Sequence, residues 1–213
     1  MSLVAALAFF STGSSIIPVI AALFNYKHLD KIMKIVAAFF LVSALSDLTL
    51  GLMAYRNVYN NYPVIHVFIL LSVLFFGAIY YYAFFNPALK KAILILAIVV
   101  ALFCIINSIF IEGIWGYPSI SNTVVGIFLI IISLAYFHQL LSRQEFVHIE
   151  KQGLFWINAG VLFYYSLNIF LFMLFTRIER AHLGDFYMIH NIVNIFANLL
   201  YSTGLLCKPQ KTT

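Results

Sequence analysis

The chain has 213 residues, of which 64% are hydrophobic and 9% charged, with 22 Phe and 13 Tyr. Soluble domains carry roughly 25% charged residues, so a soluble fold of this composition would have almost no polar surface; kinase, nuclease and nucleotide-binding modules are excluded, and no Gly-rich phosphate loop occurs. The net charge of +5 is accordingly read against anionic lipid headgroups and not against nucleic acid.

Seven stretches reach the roughly 20 apolar residues that a spanning helix requires. The first, Leu3–Phe24, has no basic region ahead of it and no small-x-small cleavage site after it, so it reads as a retained helix and not as a signal peptide. Pro18 lies inside it and should kink it. The second, Met33–Tyr55, holds Asp47, the only Asp or Glu within the seven stretches. A carboxylate at membrane depth costs ~2.5–3.5 kcal/mol on insertion scales, so it should face the bundle interior and mark a functional route. The third, Tyr62–Phe85, carries His66 one turn from its start, and the fourth, Ala92–Ile111, carries Cys104 and ends near Asn107. The fifth, Pro118–Leu140, has Asn122 and Thr123 in its first turns. The sixth, Gly153–Phe175, bears a stripe of Asn158, Tyr165 and Asn168, with Tyr164 and Ser166 alongside. The seventh, Phe186–Cys207, places His190, Asn194, Asn198 and Tyr201 on one helical face, with Asn191 at its edge.

The loops between them are short, and their basic residues are unevenly divided. Nine Lys and Arg (Lys27, Lys31, Lys34, Lys90, Lys91, Arg143, Lys151, Lys208 and Lys211) fall on one side, and three (Arg56, Arg177 and Arg180) on the other. The positive-inside rule then predicts an all-α, polytopic integral membrane protein of seven transmembrane helices, a single domain over residues 1–213, with its N-terminus outside and its C-terminus cytoplasmic. Cys104 lies within a helix and Cys207 at the end of another, so no disulfide is expected between them. No Asn-x-Ser/Thr acceptor occurs, which favours a bacterial origin.

At a rise of about 1.5 Å per residue, Asp47, His66, Asn107, Asn122, Asn168, His190, Asn191 and Asn194 all fall in the outer half of the bundle. These eight are the candidate ligand-binding residues. Asn158 and Asn198 lie deeper and read as interhelical glue. An Asp with two His could hold a metal, but no HExxH or Cys-rich spacing accompanies them, and no metal or other cofactor is expected. A catalytic Asp–His pair would need a nucleophile, and no nucleophile-elbow sequence surrounds Ser43 or Ser46. A polar pocket whose histidines sense pH or meet an acidic ligand asks least of the sequence, and predicts that stability or affinity changes between mildly acidic and neutral pH.

The segments Leu154-Phe155-Trp156-Ile157-Asn158-x-Gly160-x-Leu162-x-Tyr164-Tyr165 and Ile189-His190-Asn191-Ile192-x-Asn194-Ile195 resemble a group of small seven-helix inner-membrane proteins of Bacteroidetes-type bacteria. The resemblance covers about a third of the chain; it implies a bacterial inner-membrane protein and no particular activity. Ser46-Asp47 is similar to the Ser-Asp pair of YhhN-type lysoplasmalogenases, but Asn168 and Asn194 stand where that family has a later acidic motif. Retinal proteins and G-protein-coupled receptors are disfavoured: the seventh stretch has no lysine, and neither Asp-Arg-Tyr nor Asn-Pro-x-x-Tyr occurs. Tyr62-Pro63-Val64-Ile65-His66 and Phe186-Tyr187-Met188-Ile189-His190 would match in a 3+1+3 transporter repeat.

These readings converge on an outward-facing polar pocket that takes a small or lipidic ligand, in a receptor or sensor and not an enzyme. A small-solute transporter and an intramembrane lipid hydrolase are the alternatives. Short loops leave helix faces to contact membrane lipids and a partner membrane protein or kinase, with Gly51, Gly77 and Gly126 as points of close approach.

Overall fold

The computed structural model describes residues 3–58, 60–142, 148–177 and 182–208. Arg143, Arg180 and Lys211, which enter the charge count, lie outside them. Among the described residues there is no strand. The helices are α1 (Leu3–Ser14), α2 (Ile16–Asn25), α3 (Lys31–Tyr55), α4 (Tyr62–Ala83), α5 (Pro87–Ile106), α6 (Ser119–Leu141), α7 (Gly153–Leu174) and α8 (Leu183–Leu206).

The first predicted helix is broken into α1 and α2 at Ser15. Pro18 lacks the N–H that would reach the Ser14 carbonyl, and its ring crowds that oxygen, so the chain turns just upstream. The hydroxyls of Ser14 and Ser15 donate to the carbonyls of Ser11 and Thr12, each at 2.7 Å, and satisfy the break locally. α3 begins earlier than its apolar run because the Asp30 carboxylate accepts from the Met33 N–H at 2.8 Å, an N-cap bond. α5 starts at Pro87, well ahead of Ala92, for a similar reason: Asn86 caps it through the Ala88 N–H at 2.8 Å, and proline suits the first turn. Its far end widens into a π-turn, Asn107–Ile111, where the Glu112 N–H donates to the Asn107 carbonyl at 2.9 Å.

Six helical stretches among the described residues are long and apolar enough to cross a membrane: Leu3–His28, Lys31–Tyr55, Tyr62–Ala83, Pro87–Ile111, Ser119–Leu141 and Gly153–Arg177. α8 is not one of them. Its length suffices, but His190, Asn191, Asn194 and Asn198 dilute its apolar character.

Packing closes a ring. α3 lies against α4 and α2, α4 against α6, α6 against α7, α7 against α8, and α8 returns to α1 and α2, with α5 outside against α4 and α6. The α7–α8 crossing is the tightest, with glycines face to face: a Cβ at Gly153 would lie 2.5 Å from the Gly204 carbonyl oxygen, and one at Gly204 would lie 2.6 Å from that of Gly153. Two turns further along α7, Gly160 lies directly under the Tyr201 ring. Of the glycines expected at partner contacts, Gly77 is taken up inside the bundle against Ala97, and Gly126 faces Tyr165 and Ile169 at ordinary distance. Gly51 alone of the three has open space before it.

Buried polar groups hold the ring together at depth. The Tyr80 hydroxyl donates to Asn158 Oδ1 at 2.5 Å and pairs with Ser133 Oγ at 2.9 Å, while Asn158 Nδ2 donates to the Ser133 carbonyl at 3.1 Å. This triangle joins α4, α6 and α7. The face of α8 serves the broken helix instead: Asn194 and Asn198 donate to the hydroxyls of Ser11 and Ser14, each at 2.9 Å. Asn25 closes the seam by donating to the Leu205 and Cys207 carbonyls at 2.9 and 3.0 Å.

Candidate functional site

A cavity of about 330 Å³ opens inside the ring, walled by α3, α4, α6, α7 and α8. It occupies the end of the bundle where α3 finishes and α4 begins. Along α4 it reaches from Tyr62 to Ser72, a depth of about 15 Å at the helical rise.

α3 contributes Ser46, Asp47 and Leu50, neighbours on one face, while Leu45, Leu48 and Leu52 point away from the bundle. Asp47 is partly buried, about 12 Å from the end of its helix at Tyr55. The Ser15 hydroxyl, at the α1–α2 break, and the Tyr164 phenol lie near its carboxylate. Among the described residues no Lys, Arg or His nitrogen pairs with it: the two ion pairs present, His148–Glu150 and His182–Asp185, lie in loops and at a helix start. Asp47 is also the only Asp, Glu, Lys or Arg lining the cavity. Ser46 donates its hydroxyl to the Val42 carbonyl at 3.0 Å, a bond within its own helix.

His190 enters from α8 with a fixed orientation. Asn168 Nδ2 donates to the Tyr164 carbonyl at 2.9 Å, which leaves Oδ1 to accept from His190 Nδ1 at 2.8 Å. Nδ1 therefore carries a hydrogen, and in the neutral ring Nε2 is a lone-pair acceptor on the cavity wall.

Aromatic rings supply most of the remaining wall. Around the mouth they touch in series: Tyr62 meets Tyr117 edge-on at 5.9 Å between centroids, Tyr117 stacks on Phe175 at 3.9 Å, and Phe175 meets Tyr187 edge-on at 6.0 Å. Deeper, Tyr164 lies 5.0 Å from Tyr165 and 5.9 Å from the His190 ring. Tyr117 belongs to the α5–α6 loop; burial holds its phenol well above the usual tyrosine range, and the nearby Asn122 side chain acts weakly against that. That phenol stays neutral across ordinary pH.

Three of the eight residues singled out from sequence, Asp47, Asn122 and His190, thus share this cavity, with Asn168 behind the third. The others do not line it. His66 faces the opposite side of α4, with Nε2 at 3.0 Å from the Gly116 carbonyl and Nδ1 at 2.6 Å from Ser108 Oγ. Nε2 must therefore donate. In the neutral ring Nδ1 is then the acceptor, and the Ser108 hydroxyl has two places to donate, Nδ1 and the Cys104 carbonyl at 2.7 Å. The His66 and His190 pentapeptides, matched in sequence, thus serve different surroundings.

Asn107 is fully buried at the π-turn, where its amide donates to Ser121 Oγ at 2.8 Å and to Glu112. Glu112 in turn accepts from the Ile120 N–H at 2.7 Å, placing a carboxylate at the start of α6, where the helix dipole favours it. Asn191 is buried on α8 outside the cavity, and Asn194 is engaged by Ser11. Sequence reasoning overlooked the mouth tyrosines and Glu112. The signal available in the sequence is that Tyr62, Tyr117 and Tyr187 each stand at or beside the N-terminal end of a helix.

Comparison with protein-family models, with curated proteins and with solved structures found no match to this chain.

Proposed function

We propose that this chain is a receptor-like membrane protein that binds a small or lipidic ligand in an outward-facing cavity and passes the change to a partner membrane protein or kinase. The observation that carries this reading is a cavity holding one unpaired carboxylate and one oriented imidazole. Beyond it the bundle is packed by the Tyr80–Ser133–Asn158 triangle and by Phe40 against Tyr201, with ring centroids 4.6 Å apart. A closed far side favours binding over passage.

The proposal includes seven spans, and α8 supports it as the seventh. Its polar residues turn to α1 and α7, while Ile189, Ile192, Phe196 and Leu199 remain exposed, as a lipid-facing stripe would be. Orientation rests on the excess of Lys and Arg on one side, which puts the cavity mouth outside, in a bacterial inner membrane. A cytoplasm-active reporter fused after Thr213 should be active, and one placed in Glu112–Tyr117 silent. The reverse pattern would turn the cavity inward.

Binding itself is tested on the purified full chain in maltoside micelles with three probes of similar shape: phenyltrimethylammonium, tert-butylbenzene and benzenesulfonate. At least one should stabilise the wild type against heat and fail to stabilise Leu50→Trp, whose indole fills the cavity. No stabilisation by any probe, or equal stabilisation of both proteins, would sink the reading. A hydrolase is the second possibility, favoured by the Asn168–His190 bond, which holds an imidazole as a base would be held. It predicts lysolipid turnover that disappears in His190→Gln.

A further inference from the structure

Resting on that cavity being a binding site, we propose that its ligand is an organic cation, a quaternary or primary ammonium group carrying an apolar substituent. Among the described residues Asp47 is the one Asp, Glu, Lys or Arg on the wall, and no cation of the protein pairs with it. A buried charge without a partner is costly, so a ligand that supplies the missing positive charge gains more than a neutral one of the same shape. An anion meets the opposite situation. Among the described residues no Lys or Arg lines the cavity, and its entry would bring two negative charges together.

The walls point the same way. The faces of Tyr and Phe rings carry negative potential, and rings set around a cation attract it; aromatic cages are a recurrent means of holding quaternary ammonium groups. Here Tyr62, Tyr117, Phe175 and Tyr187 form the collar at the mouth, and Tyr164 stands beside Asp47 at depth. A cation entering past these rings would pass from aromatic side chains to a carboxylate without meeting a Lys or Arg among the described lining residues. His190 Nε2, an acceptor while the ring is neutral, adds a lone pair for an N–H of a primary ammonium. The cavity volume of about 330 Å³ lies at the lower end of small-molecule pockets, so a compact head with a short apolar body is the fitting shape.

The three probes named above decide between charge classes, because they differ chiefly in charge. Phenyltrimethylammonium should bind wild-type protein at least about tenfold more tightly than tert-butylbenzene, and benzenesulfonate should not bind. Asp47→Asn keeps the shape and removes the charge; it should weaken phenyltrimethylammonium roughly thirtyfold and leave tert-butylbenzene unchanged. Tyr164→Phe, which keeps the ring, should bind the cation nearly as wild type does, and Tyr164→Leu should lose about tenfold. Referring each value to Leu50→Trp removes partition into the micelle. Equal or tighter binding of tert-butylbenzene or benzenesulfonate would overturn the cation assignment and leave the binding site standing, as would an Asp47→Asn variant with wild-type affinity for the cation. Failure of all three probes on the wild type would overturn both. The source of the ammonium is read by competition: dihexanoyl-phosphatidylcholine displacing phenyltrimethylammonium better than choline does identifies a lipid headgroup, and the reverse identifies a soluble amine.

Discussion

Gly204→Val should remove most of the folded population in detergent, while Gly51→Ala, a glycine of α3 with open space around it, should fold as wild type does. At the α7–α8 crossing the two backbones are in direct contact. A Cβ at Gly204 meets the Gly153 carbonyl oxygen at 2.6 Å and Ile157 Cδ1 at 3.0 Å. A flexible side chain could move aside, but a helical carbonyl cannot, so the helices must separate. Overpacking of this kind costs about 1–3 kcal/mol for small additions, and the branched valine adds to it, against a total stability of roughly 5–15 kcal/mol. Separation reaches the site as well, because α7 carries Tyr164 and Asn168 and α8 carries His190. Thermal midpoints and elution profiles of the two variants check this; a Gly204→Val midpoint equal to wild type would mean that the crossing is looser than its glycines require.

Asn158→Leu should be the most damaging exchange of a single polar side chain. Asn158 is completely buried, and its amide serves the Tyr80 hydroxyl and the Ser133 carbonyl together. Leucine keeps the bulk and takes one bond from each partner, at about 0.5–1.5 kcal/mol per lost bond, while the Tyr80 hydroxyl keeps Ser133 Oγ. Tyr80→Phe takes the donor away from the buried Asn158 Oδ1 and should also destabilise. The informative measurement is the double variant Tyr80→Phe/Asn158→Leu. Since both single changes break the same Tyr80–Asn158 bond, the double variant should be less destabilised than their sum. Strict additivity would show that the hydroxyl and the amide act independently, contrary to the 2.5 Å contact between them.

Burial of polar groups followed from sequence more readily than their partners did. The stripe of His190, Asn194 and Asn198 had to face protein, because amides in hydrocarbon must be satisfied. That one of its members turns to the cavity and two turn to Ser11 and Ser14 depends on how the broken first helix lies against α8. Pro18 announced a kink; that the resulting break would bring Ser15 beside Asp47 was beyond its reach. The apolar criterion met by six helical stretches is not met by α8, whose composition carries the polar residues of its His190, Asn194 and Asn198 face.

Sequence by itself determined the helical class, the apolar segments and the presence of a carboxylate inside one of them, because each follows from local chemistry: about 20 apolar residues in series, short polar connections, and the cost of charge in hydrocarbon. Only the tertiary structure decided which polar and aromatic groups share a space. Depth along a helix is a matter of rise per residue, and it correctly set His66 and His190 each near the start of its helix. Azimuth is set by neighbours, and there the two part: Ser108 and Gly116 take His66 on one side of α4, while Asn168 holds His190 at the cavity. The collar of Tyr62, Tyr117, Phe175 and Tyr187 is assembled from four separate elements of the chain. No local pattern connects those positions; the closing of the helix ring does.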